Sequence, residues 1–144
     1  MGNAASPKKE QHRSSRLVAA LPVWLRAGVR LIGLVTSRGS GRWIVPKGKR
    51  RRKERAHACA EREVREEAGA IGRVRGKPVA IIKAEPEAQA SVPLYLLEVK
   101  EVLDAWPEKD QRKRAWEPVK RAAAMVDDPE LAAAILRLAE LKSG

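Results

Sequence analysis

Phenylalanine is absent from the 144 residues, tyrosine occurs once and aromatics make up 3% of the chain. A core for one domain of this length must therefore be built from Leu, Val, Ile and Ala, with the four Trp residues as isolated large side chains. Cysteine is equally scarce. The single Cys59 allows no intrachain disulfide and no multi-thiolate zinc site, which points to a reducing, cytoplasmic setting. Of the two histidines, His57 lacks a partner at metal-ligand spacing and reads as a surface or packing residue. No apolar run approaches the roughly 20 residues of a membrane helix, and the start lacks the apolar centre of a secretory signal, so no spanning segment is expected.

What the chain has in excess is positive charge, with 30 Lys and Arg against 18 Asp and Glu and a net charge of +12. Only Lys8, Lys9, Arg13 and Arg16 fall in the first sixteen residues, so the charge belongs to the domain and not to a tail. Salt-sensitive attraction to polyanions follows: nucleic acid, polyphosphate or an anionic surface. Residues 1–15 are polar and basic and read as a flexible arm ahead of one domain over 16–144. Within that arm, Met1 to Ser6 fits the short N-myristoylation pattern, with Lys8 and Lys9 as a second membrane signal.

Leu17 to Leu25 and Val29 to Thr36 are apolar and β-branched enough to be strands, with a turn at Ala27-Gly28. Ser37 to Gly41 is a second turn, and Arg42 to Val45 a short strand ended by Pro46. A loop with seven cations in nine positions runs from Lys47 to Arg55. A helix over Arg55 to Ala68 follows, closed by Gly69. Val79 to Lys83 and Val92 to Val102 read as strands, and Glu117 to Val126 and Pro129 to Leu141 as helices, Asp128-Pro129 starting the second. The class is a mixed α/β single domain.

On a helical wheel Glu63, Glu66 and Glu67 lie within about 100° of one another, since i, i+3 and i+4 share a face. The same arc carries the small residues Ala56, Cys59 and Ala60. Three carboxylates beside residues that can be buried suit a hard divalent cation such as Mg²⁺ or Mn²⁺. Without that context the run would read as a solvated charged helix, with Glu61 and Arg65 as an i,i+4 pair.

The context is a longer pattern: Gly48, five residues, Glu54, seven residues, Arg62-Glu63-Val64, one residue, Glu66-Glu67, one residue, Gly69. It resembles the Nudix hydrolase signature, departing only at Ala70, where a larger aliphatic residue is usual. The resemblance implies an α/β/α sandwich with a central mixed sheet, and a Mg²⁺- or Mn²⁺-dependent hydrolase of phosphoanhydride bonds. It makes Glu63, Glu67 and the backbone carbonyl of Lys47 metal ligands, and Glu66 a further ligand or the base acting on water. Gly48, Glu54 and Arg62 become supporting residues, the last two as a pair that orients the loop on the helix.

Three further segments, Arg42 to Pro46, Glu101 to Trp106 and Arg112 to Trp116, are similar to diphosphoinositol polyphosphate phosphohydrolases, which also hydrolyse diadenosine polyphosphates. That likeness implies a polyphosphorylated small-molecule substrate held by Arg16, Thr36, Ser37, Arg38 and Arg112, the arginines through their planar forks. The subfamily is basic where this chain has Ala88 and Asp128. Lys49, Arg50, Arg51, Arg52 and Lys53 are an added cationic run, readable as a reach for long polyphosphate or as a solvated loop. Trp43 and Trp116 read as core anchors. Two rivals remain: an ADP-ribose type hydrolase, suggested by Pro86 after the signature, and a basic RNA-binding module with a vestigial site, which would gain nothing from clustered carboxylates.

Overall fold

The computed structural model describes residues 16–84 and 90–140. The expectations for the arm, for Gly2, for Pro86 and for Ala88 lie outside the described residues. The described residues form eight strands: β1 (Leu17–Arg26), β2 (Val29–Thr36), β3 (Trp43–Ile44), β4 (Lys47–Lys49), β5 (Ala70–Val74), β6 (Ala80–Lys83), β7 (Ser91–Val102) and β8 (Arg114–Pro118). The helices are α1 (Ala56–Glu63), continued by a π-helical turn over Val64–Ala68, then α2 (Val119–Met125) and α3 (Pro129–Arg137).

One mixed sheet holds all eight strands, with the path β3-β2-β1-β7-β5 and with β4 on β1, β6 on β7 and β8 on β2. The β1–β7 pair is parallel and the other ladders are antiparallel. Period-two alternation along β1 explains the layering, since successive side chains leave opposite faces of a sheet. Ala19 and Leu21 enter a core with Ile32, Leu34 and the buried sides of α2 and α3. Val18 and Ala20 enter a second core under α1, with Cys59, Ala60, Val64 and Leu97. The result is the expected α/β/α sandwich.

Helix α3 starts as its sequence dictates. The Asp128 carboxylate accepts the Glu130 N–H (2.9 Å), and Pro129 occupies the first turn, where no donor is needed. Leu131, Ala134, Ile135 and Leu138 then form one buried stripe at helical spacing. No helix among the described residues is long and apolar enough to cross a membrane.

The structure corrects the sequence reading in four places. Lys47 to Lys49, expected as loop, forms β4 against Leu17 to Ala19 of β1. Ala70 to Val74, unassigned from sequence, is β5; it is short and mixed in polarity, and its pairing with β7 through a bulge between Ile71 and Gly72 defines it. Arg114 to Pro118 is β8, paired with Leu31 to Val35 of β2, so the following helix begins at Val119 and not at Glu117. Finally, the helix expected over 55–68 is α-helical only to Glu63, and its last turn widens to i→i+5 pairing.

Candidate active site

β4 and the cationic loop that follows it meet α1 through the half-buried residues Lys47 and Gly48. Glu63 and Glu67 are 8% and 4% exposed, the only buried charged residues among those described. Gly48 lies so close to Glu63 that a β-carbon at this position would occupy the space of the carboxylate. The Lys47 N–H donates to Glu67 Oε1 (3.3 Å). Burial pushes the Glu67 carboxyl well above the usual carboxylate range, and a hydrogen bond shared with Glu63 pushes the same way; Arg112 opposes both. Two buried carboxylates side by side form an oxygen donor set of the kind that suits a hard divalent ion. Among the described residues no three acidic, thiol or imidazole side chains converge as a ready-made metal cage. The third donor implied by the signature is a backbone carbonyl, that of Lys47.

Glu66 is the most exposed of the three carboxylates. Glu67 is buried in the π turn, while Glu66 sits beside Arg62 Nη1 (3.4 Å), the nitrogen that also engages Glu63, and beside Arg51 Nη2 (3.6 Å). Arg62 is the hub of this side. Its Nε and Nη2 donate to the two oxygens of Glu54 (2.8 Å each), its Nη1 to Glu63 (2.8 Å), and its Nη2 also to the Lys49 carbonyl (3.1 Å). The Arg62 hydrogen bonds hold Glu54 down to about 2, and Glu54 in turn makes Arg62 still more basic. Because Glu54 also accepts the Arg51 N–H (2.9 Å), one ion pair fastens the loop to the helix.

The far end of the helix is held by the segment between β7 and β8. Trp106 Nε1 donates to the Glu67 carbonyl (3.1 Å), and the indole packs on Gly69, whose φ of 63° and close neighbour both exclude a side chain. Arg114 Nη1 donates to the carbonyls of Ala68 (3.0 Å) and Gly69 (3.2 Å), with its guanidinium stacked 3.9 Å from the Trp106 ring centroid. The Glu108 N–H donates to the Glu66 carbonyl (3.0 Å). Carbonyls that a helix end leaves without partners are thus taken up by three residues that the sequence reading gave no role. Trp106 and Arg114 did stand inside the segments that carried the subfamily likeness; their partners were invisible there.

The substrate-contact candidates form two groups. Arg16 is exposed at the head of β1, and its carbonyl accepts the Arg50 N–H (3.0 Å). Thr36, Ser37 and Arg38 run from β2 into its turn. Thr36 Oγ1 accepts the Lys113 N–H (2.9 Å), and Arg38 Nη1 donates to Gln111 (2.8 Å). Arg112 is half-buried and engages Glu108 (2.7 Å), the Thr36 carbonyl (3.0 Å) and Glu67 (3.6 Å), so it ties this turn to the carboxylate pair. Lys49, Arg50, Arg51, Arg52 and Lys53 are all exposed. His57 bonds the Gly76 carbonyl (2.8 Å) and meets Tyr95 edge to face, while Trp116 packs edge-on against Trp24. Glu98, another acid on β7, pairs with Lys100 at the exposed surface (3.1 Å).

Comparison with known proteins adds three findings. The family model for the NUDIX domain matches residues 16–140. Human diphosphoinositol polyphosphate phosphohydrolase 3-alpha is 35% identical over 89 residues, 60% of this chain and 54% of the relative; Nudix hydrolase 13, mitochondrial, of Arabidopsis thaliana is 36% identical over 90 residues, 55% and 45%. The chain therefore spans about half the length of the curated relatives it matches. Among solved structures, Ap4A hydrolase of C. elegans superposes with a TM-score of 0.68 at 19% identity, covering 86% of this chain and 95% of that one. A NUDIX family hydrolase from Clostridium perfringens gives 0.69 at 14%, covering 88% and 97%. These structural likenesses concern the fold.

Proposed function

The chain belongs to the Nudix family, and on that footing we propose that it hydrolyses phosphoanhydride bonds in highly phosphorylated small molecules, diphosphoinositol polyphosphates or diadenosine polyphosphates, with Mg²⁺ or Mn²⁺ required. The observation that carries the reading is the buried Glu63–Glu67 pair set against the backbone of Lys47 and Gly48. Glu63, Glu67 and the Lys47 carbonyl would hold the cation, which when bound polarises phosphoryl oxygens and acidifies water.

The remaining work falls to the chain itself. Arg62 fixes the rotamers of Glu63 and Glu66 from one guanidinium, and Glu54 fixes Arg62. Glu66 stands outside the buried pair, on its solvent side at 24% side-chain exposure, where a carboxylate oxygen can take the proton of an attacking water. Arg38 and Arg16 are exposed and offer planar forks to substrate phosphates. Arg112, held by Glu108, keeps a positive charge beside Glu67 and the Thr36–Ser37 turn.

The named substrates of the human relatives and of the C. elegans hydrolase support this substrate range. Phosphate release, measured on a panel of inositol pyrophosphates, dinucleoside polyphosphates, ADP-ribose and capped RNA, tests it. Glu63→Gln and Glu67→Gln should each lose turnover by orders of magnitude while keeping the native far-UV circular dichroism spectrum. Full activity in both variants, or in excess EDTA, removes the proposal.

A further inference from the structure

Glu108, between β7 and β8, accepts the Arg112 Nε–H at 2.7 Å across one turn. On a free surface an i,i+4 pair of this kind would contribute little. Here the Glu108 and Arg112 side chains are 20% and 9% exposed. The turn is also pinned to the carboxylate helix. The Glu108 N–H donates to the Glu66 carbonyl (3.0 Å), and the Glu108 carbonyl accepts the N–H groups of Gln111 (2.9 Å) and Arg112 (3.1 Å). The backbone that carries Glu66 and Glu67 therefore also fixes where Glu108 stands.

The two arginines of the site use their guanidinium groups differently. Nε and Nη2 lie along one edge of the plane, which a single carboxylate can fill with two parallel hydrogen bonds. At Arg62 it is filled in this way, Glu54 taking both donors at 2.8 Å. At Arg112 the same edge is divided. Nε is bonded to Glu108, while Nη2 stops 3.6 Å from Glu67 Oε2, beyond hydrogen-bond range. Nη1 is held by the Thr36 carbonyl (3.0 Å). Of the buried pair, Glu63 already accepts Arg62 Nη1 at 2.8 Å, whereas the guanidinium nearest Glu67 falls short of it.

We propose that Glu108 is a positioning residue for metal binding: by occupying Nε of Arg112 it keeps the guanidinium from closing on Glu67, and so leaves the Glu67 carboxylate to the divalent cation. The proposal rests on the reading of Glu63 and Glu67 as cation ligands. A guanidinium bonded side-on takes up both oxygens of a carboxylate, so it competes with a hard cation that needs the same oxygens. Without Glu108, the half-buried Arg112 charge would have Glu67 as its neighbouring anion, and the edge now divided would close on it as the Arg62 edge closes on Glu54.

The test uses the whole chain and Mn²⁺ alone, with binding followed by the electron paramagnetic resonance signal of the free ion. Glu108→Ala deletes the acceptor and leaves the backbone hydrogen bonds of the turn in place; it should weaken Mn²⁺ binding about tenfold. In an Arg112→Gln background no guanidinium is left to close on Glu67, and the same substitution should change affinity by less than about threefold. An equal loss in both backgrounds would mean that Glu108 attracts the ion by its own charge. No loss in the native background would mean that Arg112 keeps its place unaided. Either result overturns the proposal and leaves the metal reading intact. The metal-free protein gives a second readout, the Arg112 Nε–H resonance in NMR spectra. Adding Glu67→Gln should move that resonance in the Glu108→Ala protein and leave it nearly unchanged when Glu108 is present; a resonance indifferent to Glu67 in both proteins overturns the proposal. Mn²⁺ affinity of the unaltered chain no higher than that of Glu67→Gln overturns the metal reading and this proposal with it.

Discussion

Replacing Glu54 by Gln isolates what one ion pair contributes to holding the site together. The side chains of Glu54 and Arg62 are each 14% exposed and joined by two hydrogen bonds of 2.8 Å. Glu54 titrates at about 2 in the folded chain against 4.5 for an ordinary glutamate. A depression of this size corresponds to at most about 3 kcal/mol at neutral pH, and partial solvent exposure reduces that to about 2 kcal/mol. Gln keeps the shape and one acceptor, so the loss should fall in that range and lower Tm by roughly 4–8 °C. The sign of the pH dependence follows from the direction of the shift. Because the folded value is depressed, the stabilisation is present above about pH 4.5 and is lost as pH falls toward 2. Urea denaturation of both proteins at pH 7 and at pH 3.5 should therefore show a gap in midpoint that narrows at the lower pH. A gap of equal size at both values would refute the argument, since it would place the effect in packing and not in charge.

Three other perturbations separate the parts of the site. Gly48→Ala drives a β-carbon into the Glu63 carboxylate and should cut kcat at least tenfold, with a matching loss of Mg²⁺ affinity by calorimetry; unchanged metal affinity would show that Glu63 does not need the space. Trp106→Phe keeps an aromatic ring on Gly69 but deletes the donor to the Glu67 carbonyl, so thermal melts should show a loss of about 1 kcal/mol, and kcat should fall more than KM rises. A loss of stability at unchanged kcat would limit Trp106 to packing. Glu66→Gln should lose most of kcat while retaining metal binding; if it loses metal affinity as severely as Glu67→Gln, Glu66 is a ligand and the proton acceptor lies elsewhere.

The carboxylate helix was legible from sequence because its information is local. Spacing within one helix sets which residues share a face, and Cys59, Ala60, Glu63 and Glu67 are buried on the side the wheel predicts. Strands β1, β2 and β7 were legible for the same reason, their apolar runs being long and β-branched. β5 and β8 were not, since five residues of mixed polarity become a strand only beside the partner that pairs with them. Arg112 was singled out as a phosphate contact, but its links to Glu67, Glu108 and the Thr36 carbonyl depend on how the β7–β8 connection crosses the end of α1.

By itself, then, the sequence determined the layer class and the placement of acidic residues at i and i+4 on one helix face. Only the tertiary structure decided that Glu67 is buried while Glu66 stays on the solvent side beside Arg51, and that Trp106 and Arg114 close the helix end. It alone also brought Trp43, Val45, Ile82 and Leu131 to line one cavity. The physical reason is the range of the interactions. Periodicity encodes the direction of a side chain relative to its own element, whereas contacts between distant segments follow from strand order and register, which alternation leaves unspecified.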